Sequence, residues 1–158
     1  MLSRLVALGG ALMTVVAALA PPVARADPSA PAVEQRRQPP ATASAESEFN
    51  QGIRARVARD WKGAEAAFRR AIALRSAFPE AWSELGYALR NQGRYPESLE
   101  AYDQALRLRP DFPEALEYLG EAYVKLGRLE DARRILDRLR VLDAARAREL
   151  AEVIQKGQ

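Results

Sequence analysis

Large apolar residues recur seven positions apart, two helical turns, at Trp61 and Phe68, Tyr95 and Tyr102, and Leu129 and Leu136. Each pair therefore lies on one face of a helix, and a stripe at this spacing is expected to be core rather than a cofactor box. Small residues accompany the stripe. Gly52, Gly86 and Gly120 fall one helix earlier, and Ala64, Ala71, Ala101, Ala105 and Ala132 share the helices of the large pairs. Where two helices cross, an absent or short side chain permits close approach of their backbones. The pattern predicts an all-α chain with helices over about 45–59, 61–75, 80–92, 96–109, 114–126, 129–141 and 144–156. The punctuation agrees. Asp60 and Asp143 stand at N-cap positions, Gly93 and Gly127 at stops, Pro96 in a first turn, and Pro110-Asp111-Phe112-Pro113 between two helices.

These features repeat at a fixed distance. One period forward from Leu85, Gly86, Gly93, Tyr95, Tyr102 and Ala105 stand Leu119, Gly120, Gly127, Leu129, Leu136 and Leu139. One period back from Gly86, Tyr95, Ser98, Tyr102 and Ala105 stand Gly52, Trp61, Ala64, Phe68 and Ala71. A period this long marks a stacked-repeat architecture. Trp82, Leu85, Gly86, Leu89, Ser98, Tyr102, Ala105 and Pro110 fill the pattern by which the chain resembles the tetratricopeptide repeat (TPR) family. The resemblance implies an α-solenoid of three helix-turn-helix units, 45–78, 79–112 and 113–146, closed by a C-terminal capping helix within 144–158. The outer units depart from the pattern: Glu48 and Gln51 stand where Trp82 and Leu85 do, and Ser76 and Ala144 replace Pro110. Terminal repeats are commonly atypical because one of their faces meets water. Ala147, Leu150, Ala151 and Ile154 form an apolar stripe on the last helix, opposite Arg146, Arg148, Glu149, Glu152 and Gln155. That suits a cap and equally a partner-docking helix.

The N-terminal residues follow a different logic. A basic start at Arg4, an apolar run from Leu5 to Ala20 and Ala24-Arg25-Ala26 read as a cleaved signal peptide over 1–26, cut after Ala26. The apolar run is shorter than the roughly 20 residues of a spanning helix and contains Gly9-Gly10, so a retained anchor is the weaker reading. No cysteine follows the site, which excludes a lipoprotein anchor. Residues 27–44 carry four prolines and almost no large apolar side chains, the composition of a disordered linker. The expected location is periplasmic or secreted, with no stable membrane insertion after cleavage. Many arginines against only three lysines give the chain a bacterial look.

Removal of Arg4 and Arg25 with the leader lowers the net charge from +3 to +1, with 22 basic and 21 acidic residues left. The charges are interspersed along the helices rather than gathered in a stripe, which argues against nucleic acid as a partner. The absence of His and Cys removes Ser-His and Cys-His nucleophile pairs, disulfides and the usual zinc, haem and redox ligands. No phosphate-binding glycine loop is present. Glu114, Glu117 and Glu121 share one face of one helix, whereas a two-carboxylate hydrolase places its acids on facing elements about 5 to 9.5 Å apart. No catalytic residue, metal or cofactor is expected.

The resemblance also implies where a ligand sits, because the first helix of each TPR unit lines the concave surface. In this phase the surface takes Phe49, Ile53, Arg56 and Val57 from the first unit, Ser83, Tyr87, Arg90 and Asn91 from the second, and Glu117, Glu121, Val124 and Lys125 from the third. The groove is expected to run from apolar and aromatic to acidic. The Lys, Asn and Arg clamp with which some TPR proteins grip a C-terminal carboxylate is missing: Phe49, Ile53, Ser83 and Tyr87 occupy its slots. These features predict a non-catalytic adaptor that holds a short peptide segment of another protein in the cell envelope. The alternatives are a self-associating homo-oligomer or an accessory subunit of an envelope enzyme or assembly complex.

Overall fold

The computed structural model describes residues 43–157. The leader expected over 1–26 and nearly all of the linker expected over 27–44 lie outside the described residues. Seven α-helices follow one another: α1 Ala45–Val57, α2 Trp61–Leu74, α3 Pro79–Asn91, α4 Tyr95–Leu108, α5 Pro113–Lys125, α6 Leu129–Leu142 and α7 Ala144–Lys156. Three begin one residue earlier than the pattern predicts. Pro79 and Pro113 are the first residues of α3 and α5, where a missing N–H leaves no intrahelical bond unmade, and Tyr95 precedes Pro96 in α4. Side chains cap α1, α2 and α7. Ser44 and Ser47 form a reciprocal box, the Asp60 carboxylate accepts from Gly63 N–H at 2.9 Å, and Asp143 accepts from the N–H groups of Ala145 and Arg146.

The helices stack as pairs, α1 on α2, α3 on α4 and α5 on α6, each pair packing on the next through α2·α3 and α4·α5. α7 packs on both α5 and α6. At the crossings of the first two units the glycines have no room for a methyl group. A Cβ on Gly86 would stand 2.6 Å from the Tyr102 ring, and one on Gly52 would collide with Phe68. Phe68 and Tyr102 are fully buried in this way. The third unit differs. Leu136 is shorter than the rings it replaces, and it is chiefly Leu150 of α7, with Ile135 behind it, that stands over Gly120. The last helix therefore completes the core of the unit before it.

One expectation about the stripe changes. Phe68, Tyr102 and Leu136 are buried, but their partners Trp61, Tyr95 and Leu129 are only half-buried. The latter are the first residues of α2, α4 and α6, where the chain has just left the turn. Between units, Phe78 and Phe112 cover the joints, with the Arg75 and Arg109 guanidiniums over their rings at 3.7 and 4.6 Å.

Candidate ligand-binding face

The first helices of the pairs, α1, α3 and α5, present the expected ligand face, and Tyr87 of α3 lies at its centre. Its ring packs at 4.9 Å from Tyr118 of α5 and meets the edge of Trp61 at 5.9 Å. Arg56 and Arg90 place their guanidiniums 5.4 and 5.1 Å from the ring centroid. Arg90 also forms an ion pair with Glu121. Arg56, Tyr87, Arg90 and Glu121, from three different helices, are thus brought together. Beside them a cleft of about 550 Å³ is lined by Arg90, Asn91, Tyr95, Glu121, Lys125 and Val153.

Of the other expected residues, Asn91 and Lys125 share the lining of that cleft and the rest lie elsewhere. Phe49 is part of the core, its ring 5.6 Å from Phe68 and 4.9 Å from Phe78. Ile53 packs half-buried against the cluster of Phe68, Leu85 and Leu89. Ser83 and Glu117 are only 2% and 5% exposed, so neither offers a free surface to a ligand. Val124 packs on the core shared by α5, α6 and α7. Val57 is 76% exposed at the last residue of α1. Asn91 and Lys125 are exposed at the ends of α3 and α5, with the Asn91 amide donating to the Tyr87 carbonyl at 2.8 Å.

The acidic end of the groove is largely neutralised. Arg146 of α7 pairs with Glu117, as Arg90 does with Glu121. Burial, and after it the neighbouring Glu149, keeps the Glu117 carboxyl above its usual range despite Arg146. A second raised carboxyl lies at a residue that the repeat phase did not single out. Glu84 is 7% exposed, with Arg56 3.4 Å from its Oε2, which accepts no hydrogen bond. Burial is the main cause that pushes its carboxyl up to about 7; Arg56 opposes the shift and Glu114 adds to it. Burial also pushes the Tyr118 hydroxyl up to about 12. Glu84 and Tyr118 share one repeat slot in successive units, and with Trp61, Glu114 and Arg146 they are the residues that sequence reasoning missed. Glu84 and Tyr118 stand one position after an assigned slot and Glu114 one turn before Glu117, while Trp61 and Arg146 reach in from α2 and α7, outside the helices of the expected face.

Comparison with known proteins places this geometry. Residues 86–127 match the TPR repeat model, and residues 114–143 match the tetratricopeptide repeat model. Residues 86–143 are thus similar to tetratricopeptide repeats. No curated protein matches the sequence. Among solved structures, the TPR2B-domain:pHsp70-complex of yeast Sti1 superimposes with a TM-score of 0.68 at 24% identity, covering 72% of this chain and 94% of that one. The first TPR of Spaghetti (RPAP3) bound to HSP90 peptide SRMEEVD gives 0.66 at 17% identity, over 71% of this chain and 91% of that one. The crystal structure of MamA gives 0.58 at 26% identity, over 72% and 61% respectively. These likenesses establish the architecture: all-α, with helices in stacked TPR-like pairs. Among the described residues no helix is long and apolar enough to cross a membrane.

Proposed function

We propose that this chain is a non-catalytic adaptor of the bacterial cell envelope, in which the TPR face of α1, α3 and α5 holds a short segment of a partner protein. The observation that carries the reading is the half-buried Tyr87 ring, framed by Arg56, Arg90 and Tyr118 beside an open cleft. Aromatic and arginine side chains that meet in a concavity are the usual anchors of binding energy. Two of the similar structures are complexes, one with pHsp70 and one with an HSP90 peptide, and the leader pattern over 1–26 supports export. Phe49, Ile53, Ser83 and Tyr87 stand where a carboxylate clamp would carry its Lys, Asn and Arg, so the ligand differs from a C-terminal carboxylate.

The test is affinity capture from envelope extract with the full chain and its Tyr87→Ala variant. Phe49 is unsuitable for this purpose because it belongs to the core. A partner retained by the native chain and lost by Tyr87→Ala supports the adaptor reading; equal recovery from both removes this face as the site. A second reading, self-association, has one observation of its own. Val141 is 86% exposed at the end of α6, near a shallow cleft of about 320 Å³ lined by Ala144, Ala147 and Ala151. A sedimentation coefficient that rises with protein concentration favours it.

A further inference from the structure

The first two units follow a rule of charge that the third breaks. Glu46 pairs with Arg75, and one period later Glu80 pairs with Arg109. The next members of the series are Glu114 and Asp143. Asp143 carries no positive charge to offer and instead caps α7. Among the described residues Glu114 forms no ion pair, and its polar contact is the Tyr118 hydroxyl, which donates to it at 3.3 Å.

Among the described residues two further groups in this corner lack a hydrogen bond. Glu84 Oε2 accepts none and has only the Arg56 Nε beside it, at 3.4 Å, although the side chain is more than nine-tenths buried. The fully buried Tyr102 hydroxyl has no partner either, and it lies in the field of Arg90, Tyr118, Glu121 and Glu84. A buried polar atom without a partner is costly, and a carboxylate needs donors rather than further acceptors. The balance of charge points the same way. Among the described residues Glu84, Glu114, Glu117, Glu121 and Glu149 face only Arg56, Arg90 and Arg146. Lys125 lies about 16 Å further along α5 from Glu114, at a rise of about 1.5 Å per residue, too far to compensate there.

We propose that the corner formed by Glu84, Glu114 and Tyr118 receives a cationic side chain, lysine or arginine, of the bound segment. This deepens the adaptor reading and rests on it. The cation donates N–H groups to the half-buried Glu114, which has no arginine of its own, and the charge of the buried Glu84 behind it adds to the attraction. Affinity then depends on pH. Glu84 is faced by Arg56 from α1, by Tyr102 from α4 and by Glu114 and Tyr118 from α5. With its carboxyl at about 7 it is charged at pH 8 and mostly neutral at pH 6, so the cation is held more weakly as the pH falls through this range.

The probe is an array of ten-residue peptides synthesised in matched pairs, one with a central lysine and one with norleucine, which keeps the stem and removes the charge. The full chain is expected to prefer the lysine member by about tenfold or more at pH 8, as one charge-assisted hydrogen bond would give. That preference should shrink at pH 6 and fall close to unity in Glu84→Gln and in the more exposed Glu114→Gln, each first checked for native helicity. Binding that is lost in Tyr87→Ala but shows no lysine preference overturns the cation site and leaves the adaptor reading standing. No binding by any peptide, or binding indifferent to Tyr87→Ala, overturns both.

Discussion

Arg59 has φ of +57°, and its equivalents in the second and third units are Gly93 at +76° and Gly127 at +70°. The three turns are equivalent, but the first asks a side-chain-bearing residue to adopt the left-handed conformation, at a cost of about 1–2 kcal/mol. Added flexibility of the unfolded chain offsets part of the relief, so Arg59→Gly should stabilise the protein by about 0.5–1 kcal/mol, read as a higher midpoint in urea. Glu84 supplies the second prediction at this scale. Its carboxyl is raised in the fold from 4.5 to about 7, so between those values the native chain binds more protons than the unfolded one. Stability from this group is present below about pH 4.5 and is lost as the pH rises towards 7. Glu84→Gln removes that dependence. The stability of Glu84→Gln relative to the native chain should therefore improve from pH 4.5 to pH 8, by an amount on the order of 3 kcal/mol at about 1.4 kcal/mol per pKa unit. Parallel curves for the two proteins in thermal melts across this range would show that Glu84 titrates normally.

At the scale of the element, helix positions were legible because apolar spacing, caps and glycine stops coincide once in every repeat. Site residues were legible only where their slot is exposed. The slot shared by Phe49, Ser83 and Glu117 holds three chemically unlike residues, and nothing in their types announces that all three are largely buried. Glu117 is covered because Arg146 reaches it from α7, a contact that lies outside the repeat period. α7 itself was readable as a cap, but its role in filling the space over Gly120 was not. That role follows from its early start at Ala144, ahead of Ala147, the residue equivalent to Pro79 and Pro113 at the starts of α3 and α5. Leu150 is fully buried there. Leu150→Ala should cost about 2–5 kcal/mol, the range for a buried leucine that leaves a cavity. Hydrogen exchange should show the loss concentrated in α5 and α6. Uniform loss over all helices would mean that the third unit is not held by α7 in particular.

For the molecule as a whole, stability in such a stack is close to a sum of units and nearest-neighbour joints. The joints are alike through Phe78 and Phe112, each under an arginine. Truncation after Leu142 should therefore loosen the third unit and leave α1–α4 protected, with exchange rates rising from α5 onward. A single cooperative loss of all six remaining helices would contradict the nearest-neighbour picture. Asp143 adds a consequence of another kind. Because it stands where Arg75 and Arg109 stand in the earlier joints and starts the next helix early, the repeat register breaks at this one position. A duplicated copy of 79–112 spliced before Pro113 is therefore expected to meet matching joints on both sides, whereas the same copy joined after α7 would meet none.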